Sequence, residues 1–390
     1  MLIINKMMLI RFIVDVEMVI VITGRKQMSN KAIKYRLYPT EEQQQKFAQT
    51  FGCCRKIWNL MLSDKINYYK VNKKSLQTTP AQYKKDYPYL KDVDSLALAN
   101  VQMHLQTAYA NFFRDKRVGF PKYKSAKTSR KTYTTNNQNG TVAILDNAIK
   151  LPKIGKVKAI IHKKPDSDWK LKSATISQDS DGKFYASVLF TYEENTQKIN
   201  QIDNVIGLDY KSDGLYTDSN GQVCGSPKYY RKSQKKLAKL QRQLSRKQKG
   251  SNNRNKARIK VARLQKHTSN QRLDFLHKKS TEIANQYDVV CVETLDMKSM
   301  SNKGFGNGKA TLDNGYGLFL NLLEYKLNDR GKYFIKVDKW YPSSQICCKC
   351  GTKHKLLLSD RVYRCECGNV IDRDYNAAIN ILNEGLKQIA

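Results

Sequence analysis

Acidic residues are scarce in this sequence. Its 390 residues hold 34 Asp plus Glu against 70 Lys plus Arg, a formal net charge of +36. A compact chain with that imbalance repels itself unless a polyanion lies against it. The excess is spread over most of the length and interleaved with 23 Tyr. That texture favours nucleic acid over a cationic membrane binder or a ribosomal-type basic protein. An uninterrupted apolar run is also missing. Met1 to Thr23 comes nearest, but Lys6, Arg11, Asp15 and Glu17 break it, and a spanning helix needs about 20 mainly apolar residues. No small-residue cleavage site follows a clean apolar core, which argues against a secretory signal. The expectation is that residues 1–28 are a non-functional leader read from an upstream start, and that the working chain opens near Met28. The nine Cys are an odd number, and Cys53, Cys54, Cys224 and Cys291 show no framework spacing. A reducing cytoplasm fits this better than an oxidising compartment. A phosphate loop is lacking too: Gly308-Lys309 invites it, but Lys303 and Ala310 stand where the motif needs Gly and Ser or Thr.

Periodicity divides the rest. Lys31 to Leu37 alternates as a strand and stops at Pro39, and Thr40 with Gln43 has the spacing of a capping box. Helical texture covers residues 41–117, with Ser95 to Arg114 as its second helix. From residue 118 the chain reads as short strands, including Thr141–Leu145, Ala148–Leu151 and Val157–His162. Asp181-Gly182 then gives a hairpin signal between Lys172–Gln178 and Phe184–Tyr192. The strand at 29–40 is expected to pair with the β-rich unit at 118–200, which makes the helical unit an insertion into a small barrel. Beyond residue 200, Val205–Asp209, Val289–Val292 and Tyr333–Val337 read as strands. Tyr229–Ala284 reads as two helical arms broken at Gly250-Ser251-Asn252-Asn253. Between Lys228 and Lys278 there are 18 Lys or Arg and one acid, Asp274. A solvated face would mix signs, so this hairpin points at phosphate, with Lys235, Lys239 and Arg242 as candidate contacts. Arg55, Tyr123 and Lys124, from basic and aromatic stretches, are further nucleic-acid candidates.

Three acids stand out by context. Asp209 and Glu293 end hydrophobic strands, and Asp374 in Asp372-Arg373-Asp374-Tyr375-Asn376-Ala377-Ala378 precedes the last helix. Singly, these could be a turn residue, a strand-end charge and a helix N-cap. Together, the order strand-acid, strand-acid, acid-helix matches an RNase H-like arrangement. Carboxylates ending apolar strands need compensating charge. Mg²⁺ supplies it, and two ions about 4 Å apart activate water and stabilise a leaving oxygen.

A second cluster is Cys347-Cys348-Lys349-Cys350-Gly351 and Cys365-Glu366-Cys367-Gly368, with 14 residues between Cys350 and Cys365. Cys347, Cys350, Cys365 and Cys367 form a zinc-ribbon pattern, and four thiolates would leave the ion no open position, so the Zn²⁺ would be structural. The one-residue gap at Cys365 and Cys367 departs from the usual spacing, with Cys348 as a substitute ligand.

These residues resemble the TnpB/OrfB family of insertion sequences, relatives of type V CRISPR nucleases. The resemblance runs from Lys31 to the C-terminus. It is carried by Lys31-Ala32-Ile33-Lys34-Tyr35-Arg36-Leu37-Tyr38-Pro39, Gly207-Leu208-Asp209-Tyr210-Lys211-Ser212-Asp213-Gly214, Val292-Glu293, Ser344-Gln345-Ile346-Cys347 and, most fully, Asp372 to Ile381. It implies a multidomain α/β plus β-barrel chain. The wedge-type barrel would take 29–40 and 118–200, and the helical recognition unit 41–117. A RuvC-like nuclease domain would take 201–390, interrupted by the helical hairpin 228–285 and the ribbon 342–371. It also implies an RNA-guided DNA endonuclease, with Asp209, Glu293 and Asp374 holding two Mg²⁺. The implied partners are a guide RNA from the transposon end and a double-stranded DNA target beside a short flanking motif, with no membrane and no small-molecule substrate. The alternatives are a guided repressor that does not cut, against which the intact acids stand, and a strand-transferring transposase. No active-site tyrosine or histidine pair for the latter is evident.

Overall fold

The computed structural model describes residues 28–193, 196–302, 304, 308–357 and 360–389. The expected leader therefore lies outside the described residues, save Met28 at its end. So does part of the Gly- and Asn-rich segment before residue 308.

Seven strands form an antiparallel sheet: β1 (Met28–Tyr38), β2 (Lys131–Asn136), β3 (Ala143–Ile144), β4 (Ala148–Leu151), β5 (Gly155–Ile160), β6 (Lys170–Gln178) and β7 (Phe184–Glu193). Their order is β2-β6-β7-β1-β5-β4-β3, so β1 sits centrally, paired to β7 on one side and β5 on the other. Its alternation buries Ile33, Tyr35 and Leu37. The sheet's edges, β2 and β3, are joined by residues 137–142 alone. Seven extended steps reach at most about 25 Å, whereas six flat strand spacings span about 29 Å, so the sheet must curl. The curl is barrel-like, but the ladder stays open: β2 and β3 do not pair among the described residues.

Helices α1 (Glu41–Asn72) and α2 (Ser95–Arg114) come between β1 and β2. The capping box holds: Thr40 Oγ1 accepts from Gln43 N–H at 3.3 Å, and Gln43 Oε1 accepts from Thr40 N–H at 3.1 Å. The helices and the curled sheet share one core. Phe47 stacks on Phe184 at 5.4 Å, and Phe51 meets Tyr133 at 5.8 Å.

The second half is built on a mixed sheet of β8 (Val205–Tyr210), β9 (Gly214–Asp218), β10 (Val223–Gly225), β11 (Val289–Glu293) and β12 (Tyr333–Val337), ordered β10-β9-β8-β11-β12. β8, β11 and β12 run parallel, and β9 pairs antiparallel with both β8 and β10. The basic arms form the expected hairpin, α3 (Tyr229–Ser245) and α4 (Asn252–Gln286), between β10 and β11. Next come α5 (Met297–Met300), α6 (Gly308–Asn314) and α7 (Tyr316–Asn328), then β12, a small ribbon of β13 (Val362–Arg364) and β14 (Val370–Asp372), and α8 (Arg373–Leu386). Both faces of the sheet are covered, which is why its central strands read as continuous apolar runs. Ile206, Leu208, Val290 and Val292 pack with Leu276 of α4 and Phe319 and Leu323 of α7. Val289, Cys291 and Val337 pack with Ile381 of α8. No helix among the described residues is long and apolar enough to cross a membrane.

Candidate functional site

Side chains alternate along a strand, and that alternation decides where the acids point. Gly207 lies so close beneath α8 that a Cβ there would come within 2.3 Å of the Ala378 carbonyl oxygen. Two residues on, Asp209 shares this face. Cys291 likewise lies under α8, against Gly385, and Glu293 follows two residues later. β8 and β11 are parallel neighbours with Val292 beside Leu208, so Asp209 and Glu293 end adjacent strands on the face that α8 covers. Asp374 opens α8 itself.

The electrostatics report the same convergence. The Asp209 carboxyl is pushed well above the usual carboxylate range, first by burial and then by the negative charges of Glu293 and Asp374. Lys211 and Arg373 offset this only in part. Burial also raises Glu293. Asp372, not Asp374, caps α8: its Oδ1 accepts from the N–H groups of Asp374 and Tyr375, both at 3.0 Å. The carboxyl of Asp374 is thereby free of the capping role. It instead accepts from Lys211 Nζ at 2.6 Å. Arg373 is turned to the ribbon, donating to the carbonyls of Leu357 and Asp360. Tyr316, fully buried, keeps a hydroxyl without a hydrogen-bond partner among the described residues and feels the charges of both Asp209 and Glu293. The three carboxylates supply hard oxygen donors of the kind a divalent cation such as Mg²⁺ takes, with Lys211 paired to Asp374; their oxygens are not drawn into one tight cluster as the four ribbon thiols are.

The four expected ribbon thiols also come together, with sulfurs all within 4.8 Å of one another. Cys347 and Cys367 are 3.7 Å apart and Cys350 and Cys365 3.5 Å. A tetrahedron of 2.3 Å zinc–sulfur bonds has edges of about 3.8 Å, so the donor set fits Zn²⁺, and the one-residue gap between Cys365 and Cys367 is accommodated. Gly351 and Gly368 take positive φ of 76° and 80° at the two turns. Burial raises the Cys347 thiol, but the N–H groups of Cys350 and Lys349 and the Asn369 amide outweigh it and bring it down to about 6. Cys348 stands outside this cluster; its N–H donates to Asn376 Oδ1 at 3.0 Å. The ribbon is clamped to α8 by two asparagines. Asn376 Nδ2 donates to Ile346 O, and Asn380 Nδ2 to Ser343 O and Ile346 O, at 2.6–2.8 Å.

Among the basic candidates, Lys235, Lys239 and Arg242 are exposed along α3, and Arg55 is half-buried on α1. Tyr123 is 57 % exposed. Lys124 is tied into the fold: its ammonium lies 3.6 Å from the Trp58 ring centroid, and Asn59 brackets its backbone. Reading the sequence missed Lys211, Tyr316 and the two asparagine clamps. Lys211 was open to inspection, two residues beyond Asp209 in the same motif. Tyr316 carried no signal beyond its apolar helix.

Comparison with known proteins agrees with this layout. Residues 187–303 match a family model described as "Probable transposase" (OrfB_IS605), and residues 316–381 match "Cas12f1-like, TNB domain". Residues 28–74 match a model described as "Helix-turn-helix domain", although here they form β1 and the single continuous helix α1. A Streptomyces pristinaespiralis protein named "Putative RNA-guided DNA endonuclease" is 36 % identical over 374 residues, 92 % of this chain and 90 % of its own length. "Putative RNA-guided DNA endonuclease InsQ" of Escherichia coli K12 is 31 % identical over 378 residues, 91 % and 92 % of the two chains. The fold is shared with a chain in the "Cryo-EM structure of the Cas12f1-sgRNA-target DNA complex", at a TM-score of 0.58 and 13 % identity, covering 91 % of this chain and 99 % of that one. With relatives this similar along nearly the whole chain, the protein belongs to the IS605 OrfB family, the TnpB-like proteins.

Proposed function

We propose that the protein is an RNA-guided DNA endonuclease of an insertion sequence, hydrolysing target DNA at a site formed by Asp209, Glu293 and Asp374. One observation carries the reading: three acids from chain segments roughly 80 residues apart converge at the carboxyl ends of the parallel strands β8 and β11, near enough that Glu293 and Asp374 raise Asp209. The strand order of that sheet and the helix bearing the last acid support a RuvC-like, RNase H-like core. Two divalent ions at such a site supply activation of a water and neutralisation of a leaving oxygen. The chain's own residues do the rest. Asp209 and Glu293 present oxygens from rigid strand ends, and Asp374 presents another from α8. Lys211 holds Asp374 by its ion pair and would supply a cation to a phosphate bound beside it. Hydrolysis there yields a 3′-hydroxyl and a 5′-phosphate. The four ribbon thiols would hold Zn²⁺ as a closed structural site, which fixes the start of α8 through Asn376 and Asn380.

The names of the relatives supply the RNA guide. In this reading base pairing chooses the sequence, while the protein reads backbone shape and a short flanking motif. The guide derives from the transposon end, and the one-signed α3–α4 hairpin holds phosphates. The test is incubation of the protein and its copurifying RNA with a matching plasmid, with and without Mg²⁺. Cutting should need both. Substituting Asp209, Glu293 or Asp374 by Ala should abolish it while leaving RNA-dependent target binding, and Asp372→Ala should retain more activity than Asp374→Ala. Binding without cutting under every metal condition would instead establish the guided repressor.

A further inference from the structure

Trp340 is 80 % exposed, unlike Trp58 at 7 %. An uncovered indole forgoes the large apolar burial that such a ring offers when a partner covers it. Its position is fixed by the sheet. Val337 ends β12 directly beside Glu293, and the N–H and hydroxyl of Thr294 both donate to the Val337 carbonyl, at 3.3 and 2.7 Å. The chain then leaves the sheet at its acid-bearing edge. A tight turn follows, in which Asp338 Oδ1 accepts from Trp340 N–H at 2.7 Å and Asp338 O from Tyr341 N–H at 3.2 Å. Tyr341 packs inward against the core beneath α8, while Trp340 stays in solvent. Lys339 Nζ lies 4.8 Å from the indole centroid, and its charge also reaches Asp296, on the segment that follows Glu293.

We propose that Trp340 is a stacking seat for an unpaired base of the DNA strand being cut, with Lys339 beside it for a neighbouring phosphate. An exposed indole paired with a cation is the chemistry that holds single strands without sequence preference, because every base has a face to stack. Ligands of sheets with parallel strands lie beyond the carboxyl ends of those strands, and Trp340 stands at that end, three residues past the strand that flanks Glu293. A paired duplex hides its base faces, so the seat selects opened DNA. The proposal rests on the nuclease reading for its choice of strand, but its test does not need cutting.

The test is tryptophan emission of the RNA-loaded full chain in Mg²⁺-free buffer without chelator, titrated with a single-stranded oligothymidylate and, separately, with a DNA duplex. The single strand should quench the wild type and leave Trp340→Phe unquenched, since Trp58 and Trp169 remain in both; the duplex should quench neither. In the plasmid assay Trp340→Ala should raise KM roughly tenfold, the order expected for one lost base stack, with kcat little changed and Phe restoring most of the loss. Equal quenching of wild type and Trp340→Phe would overturn the proposal. So would emission already quenched by the copurified RNA and unchanged by added DNA, which would give the ring to the guide. A nuclease that cuts while showing no quench refutes this seat alone, whereas a quench without cutting leaves the seat standing and refutes the nuclease.

Discussion

Gly207→Ala tests how the third acid is placed. A Cβ at this position meets the Ala378 carbonyl oxygen at 2.3 Å and the Leu382 backbone nitrogen and Cβ at 2.9 Å. The nearest obstacles include helix backbone, so no side-chain rotation relieves them. Restoring ordinary contact requires α8 to lift from β8 by on the order of 1 Å. Forced overpacking of this kind costs about 1–3 kcal/mol, which for a unit of this size lowers Tm by roughly 2–12 °C. The catalytic effect should be larger. Ala378 is one helical turn from Asp374, and a misplacement of about 1 Å at a reacting centre costs on the order of 10²-fold in rate. Gly225→Ala is the control, because nothing lies within 4 Å of its Cβ. Melting and plasmid cutting of the two variants, measured side by side, decide the matter. If Gly207→Ala melts with the wild type and cuts within about twofold of it, the helix does not rest on β8 as described and the acid triad loses its geometric support.

Other perturbations reach different parts of the molecule. Because the carboxyl of Asp209 is raised in the folded state, the metal-free protein should lose stability as pH climbs from the ordinary carboxylate range through that raised value. Asp209→Asn should flatten the trend, and added Mg²⁺ should stabilise the wild type but not the variant; parallel pH profiles of Tm would contradict this. Cys350→Ser should reduce bound zinc from one ion per chain to none and abolish cutting while sparing RNA binding, as read by metal analysis and gel shift. Replacing Lys235, Lys239 and Arg242 together with Gln should reduce the slope of log affinity against log salt by about 2–3, from 0.7–0.9 per phosphate contact, with sequence choice unchanged. An unaltered slope would mean that this face of α3 touches no phosphate.

What could be read from the sequence follows the physics of burial. The strands carrying Asp209 and Glu293 are covered on both faces, so they appear as apolar runs ending in a charge, and the ribbon cysteines announce themselves by spacing. Strand β2 was hidden because its buried positions are Tyr133 and Thr135 among Lys, Thr and Asn; Thr135 is satisfied by a hydrogen bond to Asp94. Helix α6 was hidden for a similar reason. Its buried residues include Thr311, Asp313 and Asn314, so no apolar stripe marks it. Asp313 does work that no local pattern reveals. The N-cap of α3, Lys228, offers no side-chain cap, and Asp313 supplies one from far downstream, accepting from the N–H groups of Tyr230 and Arg231, 83 and 82 residues before it, at 2.9 and 3.3 Å. The division between the helical unit and the sheet was drawn where texture changes, but Phe47 and Phe184 share one core across that boundary. Pairings of such long range leave no trace in a local window.

The seating of α8 on β8 has a consequence in time. Asp374 is made 165 residues after Asp209, and at a synthesis rate of about 5–20 residues per second that interval is roughly 8–33 s. Through it the N-terminal half, whose core needs nothing beyond Phe190, can complete its own folding, while β8 waits with Gly207 uncovered and Lys211 without its partner. A ribosome carrying this chain thus displays a finished front half while the proposed site still lacks its third acid. The order of synthesis places Asp374 after both of the acids it joins.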